Sequence, residues 1–478
     1  MTTPAIPLAE GFPSATRADW LSLVARTLKG AGSESLAGRT ADGLPVMPLY
    51  GAEDGGRPAN FTPAARVGEA GWDVRAAVVT GDPASANRAA LEALAGGAAS
   101  LLFRIGVGAG DGVDIASPAD LARVLRGVVT DLAPVAIDAG FGGPIAAGWL
   151  DAVAKASPSA PLAFHLDPFT SFAQAGASPG PIADHVRAAA SAATKLAETY
   201  PRAGLFLASG ASVHEAGGTA AWELAFAAAA TVSYAKALVA QGLPIDGAFA
   251  RLVVGVVVDA EPLGAIAKLR AARVLWTRIT GACGVAVPCI IEARASRRML
   301  TRADRWTNLV RLTSAGFGAA VGGADAIVLG AFTDAIGAPD AFALRMARNT
   351  QLILMEEAHL GRVADPAAGS WAMEAQTSDL AHAAWDAFIA IEKAGGLAAA
   401  LEDGLVADAV ERGRAALAAA LGNKALRLIG VTDFQSGEPT STATDAAAHE
   451  PWAVDVRRPG PDSLCRPLTP VRLEELAQ

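Results

Sequence analysis

Short apolar runs alternate with helix-length amphipathic segments along most of this chain, most regularly between Glu292 and Trp371. Counting from Trp72, eight runs occur: WDVRAAVV, SLLFRIG, APVAIDAG, PLAFHLDPF, GLFLASG, RLVVGVVVD, PCIIEARAS and ADAIVLGAF. Such runs are typical of parallel strands buried on both faces. Eight repeats of strand and helix predict an α/β fold, a closed (β/α)8 TIM barrel over residues 71–360. An open doubly wound sheet, the alternative, would end at about five to seven strands.

The segments on either side of the barrel have different patterns. Residues 1–70 contain one amphipathic helix, ADWLSLVARTLKG, within sequence rich in proline and glycine, which predicts an N-terminal helical arm that docks on the barrel or on a partner chain. Residues 361–434 carry further helical patterns that we expect to pack on the outside of the barrel. Residues 435–478 lack periodicity and predict an extended tail, either disordered or wrapped over a partner. The apolar stripe of the first helix consists of Trp20, Leu23, Val24, Thr27 and Leu28.

The composition changes this picture only by excluding some classes of protein. Of the 478 residues, 52% are apolar and 18% are charged, yet no run reaches the roughly 18 apolar residues of a membrane-spanning helix. The first residues lack a basic segment followed by an apolar one, so no secretion signal is expected. The net charge of -9 disfavours nucleic acid and anionic membranes as partners. Cys283, Cys289 and Cys465 form no CxxC pair, which indicates reduced thiols and a cytoplasmic location.

Three short motifs suggest a functional site without completing one. The glycine-rich run from Gly106 to Asp114 contains neither GxGxxG nor GK[ST], and we interpret it as a loop between a strand and a helix. His214 and Glu215 form no HExxH pair, and no two histidines have metal-ligand spacing, so no metal site is expected. GASPG, from Gly176 to Gly180, does not follow a strand directly and is interpreted as a loop.

Polar residues lie at or near the predicted carboxyl ends of the strands, where barrel enzymes build their active sites. In a stand-alone enzyme, His214 would act as general acid and Asp259 or Glu261 as base. The alternative is that these side chains cap helices or pair with one another at the barrel mouth, and the absence of a coherent constellation favours it. The whole set is Asp138, His165, Asp167, His214, Glu215, Asp259, Glu261, Glu292 and Arg294.

The run ARNTQLILMEE is followed by DPAAGSW. These two segments resemble the ARNTQ and DPxxGS pattern of methylmalonyl-CoA mutases and related acyl-CoA mutases. EAGGTAAWELAFAAA, IAKLRAARVLW and NLVR extend the match. DWLSLVARTLKG, RTADGLPVMPLY and DPASANRAALEALAGGAASLLF resemble the small subunit specifically. The resemblance covers roughly residues 17–435 in colinear order. It implies a barrel that holds an acyl-CoA along its axis and a separate flavodoxin-like domain that presents adenosylcobalamin.

Departures from the catalytic pattern decide which role the resemblance implies. Ala211 and Ser212 stand where the catalytic type has the Tyr-His pair of SGYHMQEAG, and Val328 and Gly330 replace the polar pair of GGTQSLHTN. We interpret these four as vestigial positions and expect no catalytic residue on this chain. At the seventh strand this chain has ASRRMLT where the catalytic type has TSGWSLT, which places Arg297 and Arg298 in a turn. Together with Met299, these bulky side chains suggest that the barrel axis is plugged.

The cofactor and the partner follow from the same resemblance. None of the six histidines has an aspartate two positions before it, as the family's cobalt-binding DxHxxG requires, and low-complexity sequence follows Gln435. We therefore expect no flavodoxin-like cobalamin domain and no cofactor bound by this chain. The resemblance implies a non-catalytic small subunit that stabilises a catalytic large subunit, which binds adenosylcobalamin in a heterodimer. A stand-alone, cobalamin-free isomerase or lyase acting on an acyl-CoA remains the alternative, and a vestigial CoA-binding sensor is a weaker one.

Overall fold

The computed structural model describes residues 15–56, 61–63, 71–79, 81–106, 112–435 and 464–477. Residues 1–14 of the predicted arm, most of the glycine-rich loop from Gly106 to Asp114, and residues 436–463 of the predicted tail lie outside the described residues. The first described elements are helix α1 (Arg17–Thr27), a 3-10 turn (Ser33–Leu36), and the two antiparallel strands β1 (Gly38–Arg39) and β2 (Pro45–Val46).

Helix α1 forms where a capping box stops fraying of its first turn. The Thr16 hydroxyl accepts a hydrogen bond from the Asp19 amide, and the Asp19 carboxylate accepts one from the Thr16 amide. None of its residues is buried. The arm touches the body of the protein further along, where Asp42 accepts a hydrogen bond of 2.8 Å from the Ala221 amide.

Eight parallel strands close into a barrel, as the alternating pattern predicts, and the open doubly wound sheet is excluded. Each strand lies within one of the eight apolar runs. All seven residues of the sixth barrel strand, LVVGVVV, are buried, as expected of a parallel strand covered on both faces. The strands are β3 (Asp73–Val78), β4 (Ser100–Arg104), β5 (Val135–Asp138), β6 (Ala163–Leu166), β7 (Gly204–Ser209), β8 (Leu252–Val258), β9 (Ile291–Ala295) and β10 (Ala326–Val328).

Helices follow the strands and cover the outside of the barrel. Proline at the first helical positions and an aspartate or serine N-cap start several of them, for example at Asp82, Ser117 and Asp167. They are α2 (Pro83–Ala95), α3 (Pro118–Val124), α4 (Gly143–Ala154), α5 (Pro168–Ala175), α6 (Ile182–Thr199), α7 (Ala211–Glu215), α8 (Ala220–Ala240), α9 (Ile245–Phe249), α10 (Pro262–Ala282), α11 (Thr307–Val321) and α12 (Ala341–Leu352). A π-helical turn (Ile353–Glu357) continues α12.

Helix α8 is long and apolar enough to cross a membrane by length and composition alone, but 67% of its apolar window is buried inside the protein. It packs against β7, β8 and the helices on either side. Its apolar character is therefore that of a core helix.

Alternation along the strands separates an outer core from a smaller inner one. On β4, Leu101 and Phe103 belong to the large core between strands and helices, whereas Leu102 belongs to a separate cluster inside the barrel. That inner apolar layer consists of Leu102, Ala136, Ala163 and Val328, with Ala77 against it.

The seam between the first and last barrel strands is short. Strands β3 and β10 pair only at Asp73 with Ala326 and at Val74 with Ile327. Beyond Val74, β3 continues to Val78 without a partner on that side, although it pairs with β4 through Val78. The two strands therefore separate toward their carboxyl ends.

Further helices and a short C-terminal segment complete the described structure. Helix α13 (Trp371–Lys393) packs against α8 and α10, and α14 (Leu397–Glu402) and α15 (Leu405–Gly422) follow it. Residues 464–477, here named the C-terminal strap, include α16 (Leu473–Leu476). The strap follows the barrel rim, bonding through its backbone to Gly176, Glu215 and Arg298, which come after β6, β7 and β9 respectively.

Candidate functional site

A network of charged side chains fills the middle of the barrel. Arg75 on β3 and Glu292 and Arg294 on β9 occupy positions that alternate with residues of the outer core, so their side chains point inward. An Arg75 guanidinium nitrogen pairs with Glu292 Oε2, and Arg294 Nε donates to Glu292 Oε1 at 2.7 Å. Arg294 also lies 3.1 Å from Asp138 Oδ2, at the end of β5. The protein's own side chains thus occupy the position where a barrel ligand would lie.

Asp73 and Ser100 extend this central network toward the start of the strands. Arg75 Nη2 lies 2.7 Å from Asp73 Oδ2, and Arg75 Nε donates to Ser100 Oγ at 2.9 Å. The Ser100 hydroxyl in turn donates to Asp73 at 2.6 Å. Every polar atom of the Arg75 guanidinium therefore has a partner, which is the condition for burying such a charge without a large penalty.

The electrostatics of the network fix the protonation state of Glu292. Burial by itself would raise the pKa of Glu292, but the guanidinium groups of Arg294 and Arg75 lower it well below its ordinary value. Burial opposes the charge of Arg294 as well, yet Glu292 and Asp138 keep its pKa raised. Glu292 is an anion at neutral pH, and both its oxygens are engaged by guanidinium groups, so it is no free general base.

His165 lies beside this network as a neutral imidazole. Burial lowers its pKa to about 4. Arg294 Nη2 donates to His165 Nδ1 at 3.4 Å, whereas His165 Nε2 lies 3.4 Å from Glu292 without forming a hydrogen bond. Its backbone has a φ of 41°, in the left-handed region that non-glycine residues seldom adopt. The backbone is strained at this position, and the imidazole is enclosed by the protein.

A second network surrounds His214. Its Nε2 lies 2.9 Å from Ser296 Oγ and its Nδ1 lies 3.2 Å from Glu223 Oε2. This order of serine, histidine and carboxylate has the geometry of a nucleophilic relay. However, Ser296 and Glu223 are each 0% exposed and His214 is 1% exposed. Lys268 Nζ also lies 2.7 Å from Glu223. The arrangement is a buried structural network, because no substrate reaches the serine hydroxyl.

Charge within this second network is also fixed. Burial would raise the pKa of Glu223, but Lys268 and His214 lower it to about 2. Burial lowers the pKa of His214, and Arg298 and Lys268 lower it further. The Val257 amide donates to Glu223 at 2.7 Å, so the carboxylate ties α8 to β8.

The structure does not assemble the acid-base pair that the sequence suggested for a stand-alone enzyme. His214 pairs with Ser296 and Glu223 rather than with Asp259 or Glu261. Asp259 Oδ2 lies 3.9 Å from Arg298, and Asp259 Oδ1 accepts a hydrogen bond from the Glu261 amide. These polar residues are used in capping and pairing at the barrel mouth.

Two further residues from that set, Glu215 and Asp167, have structural partners. Glu215 accepts hydrogen bonds from the Arg297 and Arg298 amides, each at 2.9 Å. Asp167 caps α5 through the Thr170 amide and accepts a hydrogen bond of 2.7 Å from the Tyr234 hydroxyl. Burial raises the pKa of Asp167 to about 7. Neither carboxylate is free to act on a ligand.

The four positions interpreted as vestigial carry no group that titrates. Ala211 begins α7, and the buried Ser212 hydroxyl after it has no hydrogen-bond partner. Val328 belongs to the inner apolar layer, and Gly330 lies so close to Asp334 that an added Cβ would approach Oδ2 to 2.4 Å. That these positions are vestigial stays a prediction.

Arg298 does not plug the barrel in the way the sequence hinted. It donates to the carbonyl oxygens of His214 and Gly218 at 2.8 and 3.1 Å, and so holds the rim together. The side chains that fill the barrel are those of the central network instead.

Comparison with known proteins gives the family. A family model described as methylmalonyl-CoA mutase matches residues 68–458. The chain belongs to the methylmalonyl-CoA mutase family. A methylmalonyl-CoA mutase small subunit from Streptomyces virginiae is 39% identical over 90% of this chain and 72% of its own length. A probable small subunit from Mycobacterium tuberculosis (strain ATCC 25618 / H37Rv) is 35% identical, over 86% and 69% respectively. The small subunit from Propionibacterium freudenreichii subsp. shermanii is 33% identical, over 91% and 71%.

Segments that carry the resemblance to the mutases hold the scaffold together. Within IAKLRAARVLW, Arg270 pairs with Asp365 of DPAAGS and with Glu374 on α13. Within ARNTQ, Gln351 accepts a hydrogen bond of 3.1 Å from the Trp72 indole. Within NLVR, Asn308 donates to the Thr301 and Phe332 carbonyl oxygens. These residues are explained by packing alone.

The two histidines at the barrel mouth do not fit the cobalt of cobalamin, the cofactor implied by the mutase family. His165 and His214, at the carboxyl ends of β6 and β7, are buried, and their ring nitrogens face protein groups. The described part of the chain contains no group of three or more His, Cys, Asp or Glu suited to a metal ion. Neither imidazole is free to coordinate cobalt, so no step is derived through the cofactor. The expectation that the partner binds it stays a prediction.

Sequence reasoning missed several polar and charged members of the two networks. Arg75, Asp73, Ser100, Glu223, Lys268 and Ser296 all belong to the two networks, yet none was singled out. A signal existed at Arg75, since a charge within a buried apolar run requires a partner. Glu292 and Arg294 are two positions apart on one strand and so share a face, which places a partner for Arg75 on the inward face of the barrel.

Proposed function

We propose that this chain is the non-catalytic small subunit of a heterodimeric, adenosylcobalamin-dependent methylmalonyl-CoA mutase. The large subunit would carry out the isomerisation of methylmalonyl-CoA and succinyl-CoA and would bind the cofactor. The observation that carries the proposal is the central network, because Arg75, Glu292 and Arg294 fill the barrel where a catalytic chain of this family would hold its acyl-CoA. The relatives named small subunits, which match 86% to 91% of the chain, support the same role.

Surface features support pairing with another chain. Helix α1 carries the predicted apolar stripe, yet none of its residues is buried, and Leu23 is 54% exposed. An apolar helix face gains stability only when another surface covers it. We assign that surface to the catalytic subunit.

The residues of this chain therefore support the partner and perform no chemistry themselves. Glu292 is ionised and fully paired, and His165 is neutral and enclosed, so neither exchanges a proton with a ligand at neutral pH. We place the heterodimer in the cytoplasm, in keeping with three cysteines that are all free thiols. Nothing in the geometry favours the stand-alone isomerase or lyase, since His214 lacks the partners which that reaction would use.

The proposal is tested by expressing the chain alone and together with a large subunit of the same family. The expected result is a 1:1 complex on size-exclusion chromatography, with mutase activity and stoichiometric cobalamin binding in the complex only. Acyl-CoA turnover or tight cobalamin binding by the purified chain alone would overturn it. Failure to form a complex with a large subunit encoded beside this chain would also count against the subunit role.

A further inference from the structure

A cleft of about 560 Å³ runs along β3, between α2 and α12. Its volume lies in the range of small-molecule sites. Ser85 and Asp334 line it near the carboxyl ends of the strands, and Arg348 and Gln351 line it near the other end. The cleft involves neither of the two buried networks except at Arg75, whose guanidinium is already paired.

The cleft exists because of the short seam in the barrel. Since β3 and β10 stop pairing after Val74, the space between them widens into a wedge. Residues from both faces of β3 line the wedge, among them the outward Ala76 and Val78 and the inward Ala77. If β3 and β10 were paired along their whole length, the two strands would lie side by side and this space would be closed. The cavity is thus a consequence of the backbone, and is not formed by one side-chain rotamer.

Among the arginines that line the cleft, Arg348 has a nitrogen without an acceptor in the described part of the chain. Its Nε is buried and has no hydrogen-bond partner there, and no ion pair of its guanidinium is found among the described residues. The guanidinium packs against Gly96, where an added Cβ would lie 2.3 Å from Arg348 Cζ, so a side chain at that position would displace it. A buried arginine nitrogen without an acceptor is costly, and arginine's planar fork matches a carboxylate.

The remaining walls of the cleft are largely apolar, and Glu92 and Arg345 also line it. Ala89 and Ala93 of α2 face Leu344 and Ala347 of α12 across it, and Leu329 lies at the end of β10. An unpaired guanidinium beside such walls suits a molecule with one negative end and a hydrocarbon body. We propose that this cleft binds a medium-chain carboxylate, with its carboxylate on Arg348 and its chain between α2 and α12. The proposal goes beyond the subunit role and does not depend on it.

The test is isothermal titration of the full chain with octanoate. Octanoate should bind saturably, whereas 1-octanol, which lacks the charge, and acetate, which lacks the chain, should bind at least about tenfold more weakly. Arg348→Gln should weaken octanoate binding by about tenfold or more, because it removes the charged donor. Arg348→Lys keeps the positive charge but lacks the planar guanidinium group. Its affinity for octanoate should therefore lie between that of the unaltered chain and that of Arg348→Gln. Ala89→Leu should weaken octanoate by filling the cleft.

Arg305→Gln serves as the matched control, because Arg305 stacks over Trp306 and does not line the cleft. It should bind octanoate as the unaltered chain does. Thermal melts of each variant verify that it is folded before titration. The proposal is overturned if octanoate does not bind, if 1-octanol binds equally well, or if Arg348→Gln leaves the affinity for octanoate unchanged.

Discussion

Arg270 on α10 forms an ion pair with Asp365, in which Arg270 Nη1 lies 2.9 Å from each of the two carboxylate oxygens. Its Nη2 pairs with Glu374 on α13, and its Nε donates to the Thr377 hydroxyl. Arg270 is fully buried. A single guanidinium therefore fixes the DPAAGS turn and α13 to the barrel helices, which explains why a charge occurs on the buried face of α10.

Replacing Arg270 should destabilise the fold strongly. Arg270→Met leaves the carboxylates of Asp365 and Glu374 without their cation, and breaking such a buried pair costs about 3 to 5 kcal/mol. The measurement is urea unfolding of the full chain. Arg278→Met is the control, because Arg278 lies on the same helix but is exposed and stacks over Trp385. That change should cost less than about 1 kcal/mol. Equal losses in the two variants would contradict a central role for Arg270.

The barrel itself was predictable from the sequence. Strands β3 to β10 each fall within one of the eight apolar runs because a parallel strand buried on both faces has little place for polar residues. The C-terminal strap was not predictable. Its position depends on backbone bonds such as Cys465 N to Gly176 O and Leu468 N to Ala173 O, which almost any residue type supplies.

The candidate site was predictable only in part, for a related reason. Asp138 ends β5 and Asp259 follows β8, at the edge of the barrel where the carboxyl ends of parallel strands meet. Glu292 is the second residue of β9 and lies inside the barrel instead. The partners of these residues were not predictable. Arg75 and Glu292 are 217 positions apart, and His214 meets Ser296 across 82 positions. Nothing in one sequence specifies which distant charges become neighbours until the closure of the barrel brings these strands and the segments that follow them together.

Stability should fall in acid because of His165. Its pKa is 6.5 as a free side chain and about 4 when folded, so below about pH 6.5 the unfolded chain takes up a proton that the folded chain does not. Stability is therefore full above the unfolded pKa and decreases as the pH falls. His165→Asn removes this titration and tolerates the left-handed backbone. Between about pH 6.5 and about pH 5, the free energy of unfolding should decrease by about 2 kcal/mol less in the variant than in the unaltered chain.

The measurement is the free energy of unfolding by urea across this pH range. Glu292, Arg294, Arg75 and Asp138 face the imidazole, and the pKa of each of the two carboxyls is held low, so they do not titrate in the same window. Parallel curves for the variant and the unaltered chain would show that His165 is not the group responsible.

Asp167 should have the opposite dependence on pH. Burial raises its pKa from 3.8 to about 7, so between these values the folded chain holds a proton that the unfolded chain has lost. The contribution of Asp167 to the free energy of unfolding therefore decreases as the pH rises toward 7. Asp167→Asn keeps an oxygen acceptor for Tyr234 and Thr170 but does not titrate. The loss of stability from about pH 5 to about pH 7 should be smaller in this variant, by on the order of 2 kcal/mol. Asp184→Asn, at an exposed ion pair, should leave the profile unchanged.

Helix α1 should matter for assembly and not for the stability of the isolated chain. Leu23→Glu places a charge on the uncovered apolar stripe, where no residue is buried, so the free energy of unfolding should change by less than about 0.5 kcal/mol. The affinity for the large subunit should fall by at least about tenfold, because the charge would be buried at the interface. Ser22→Glu adds the same charge to the exposed opposite side of the helix and should leave the affinity intact. Surface plasmon resonance against an immobilised large subunit gives both affinities, and equal effects of the two substitutions would mean that this stripe does not contact the partner.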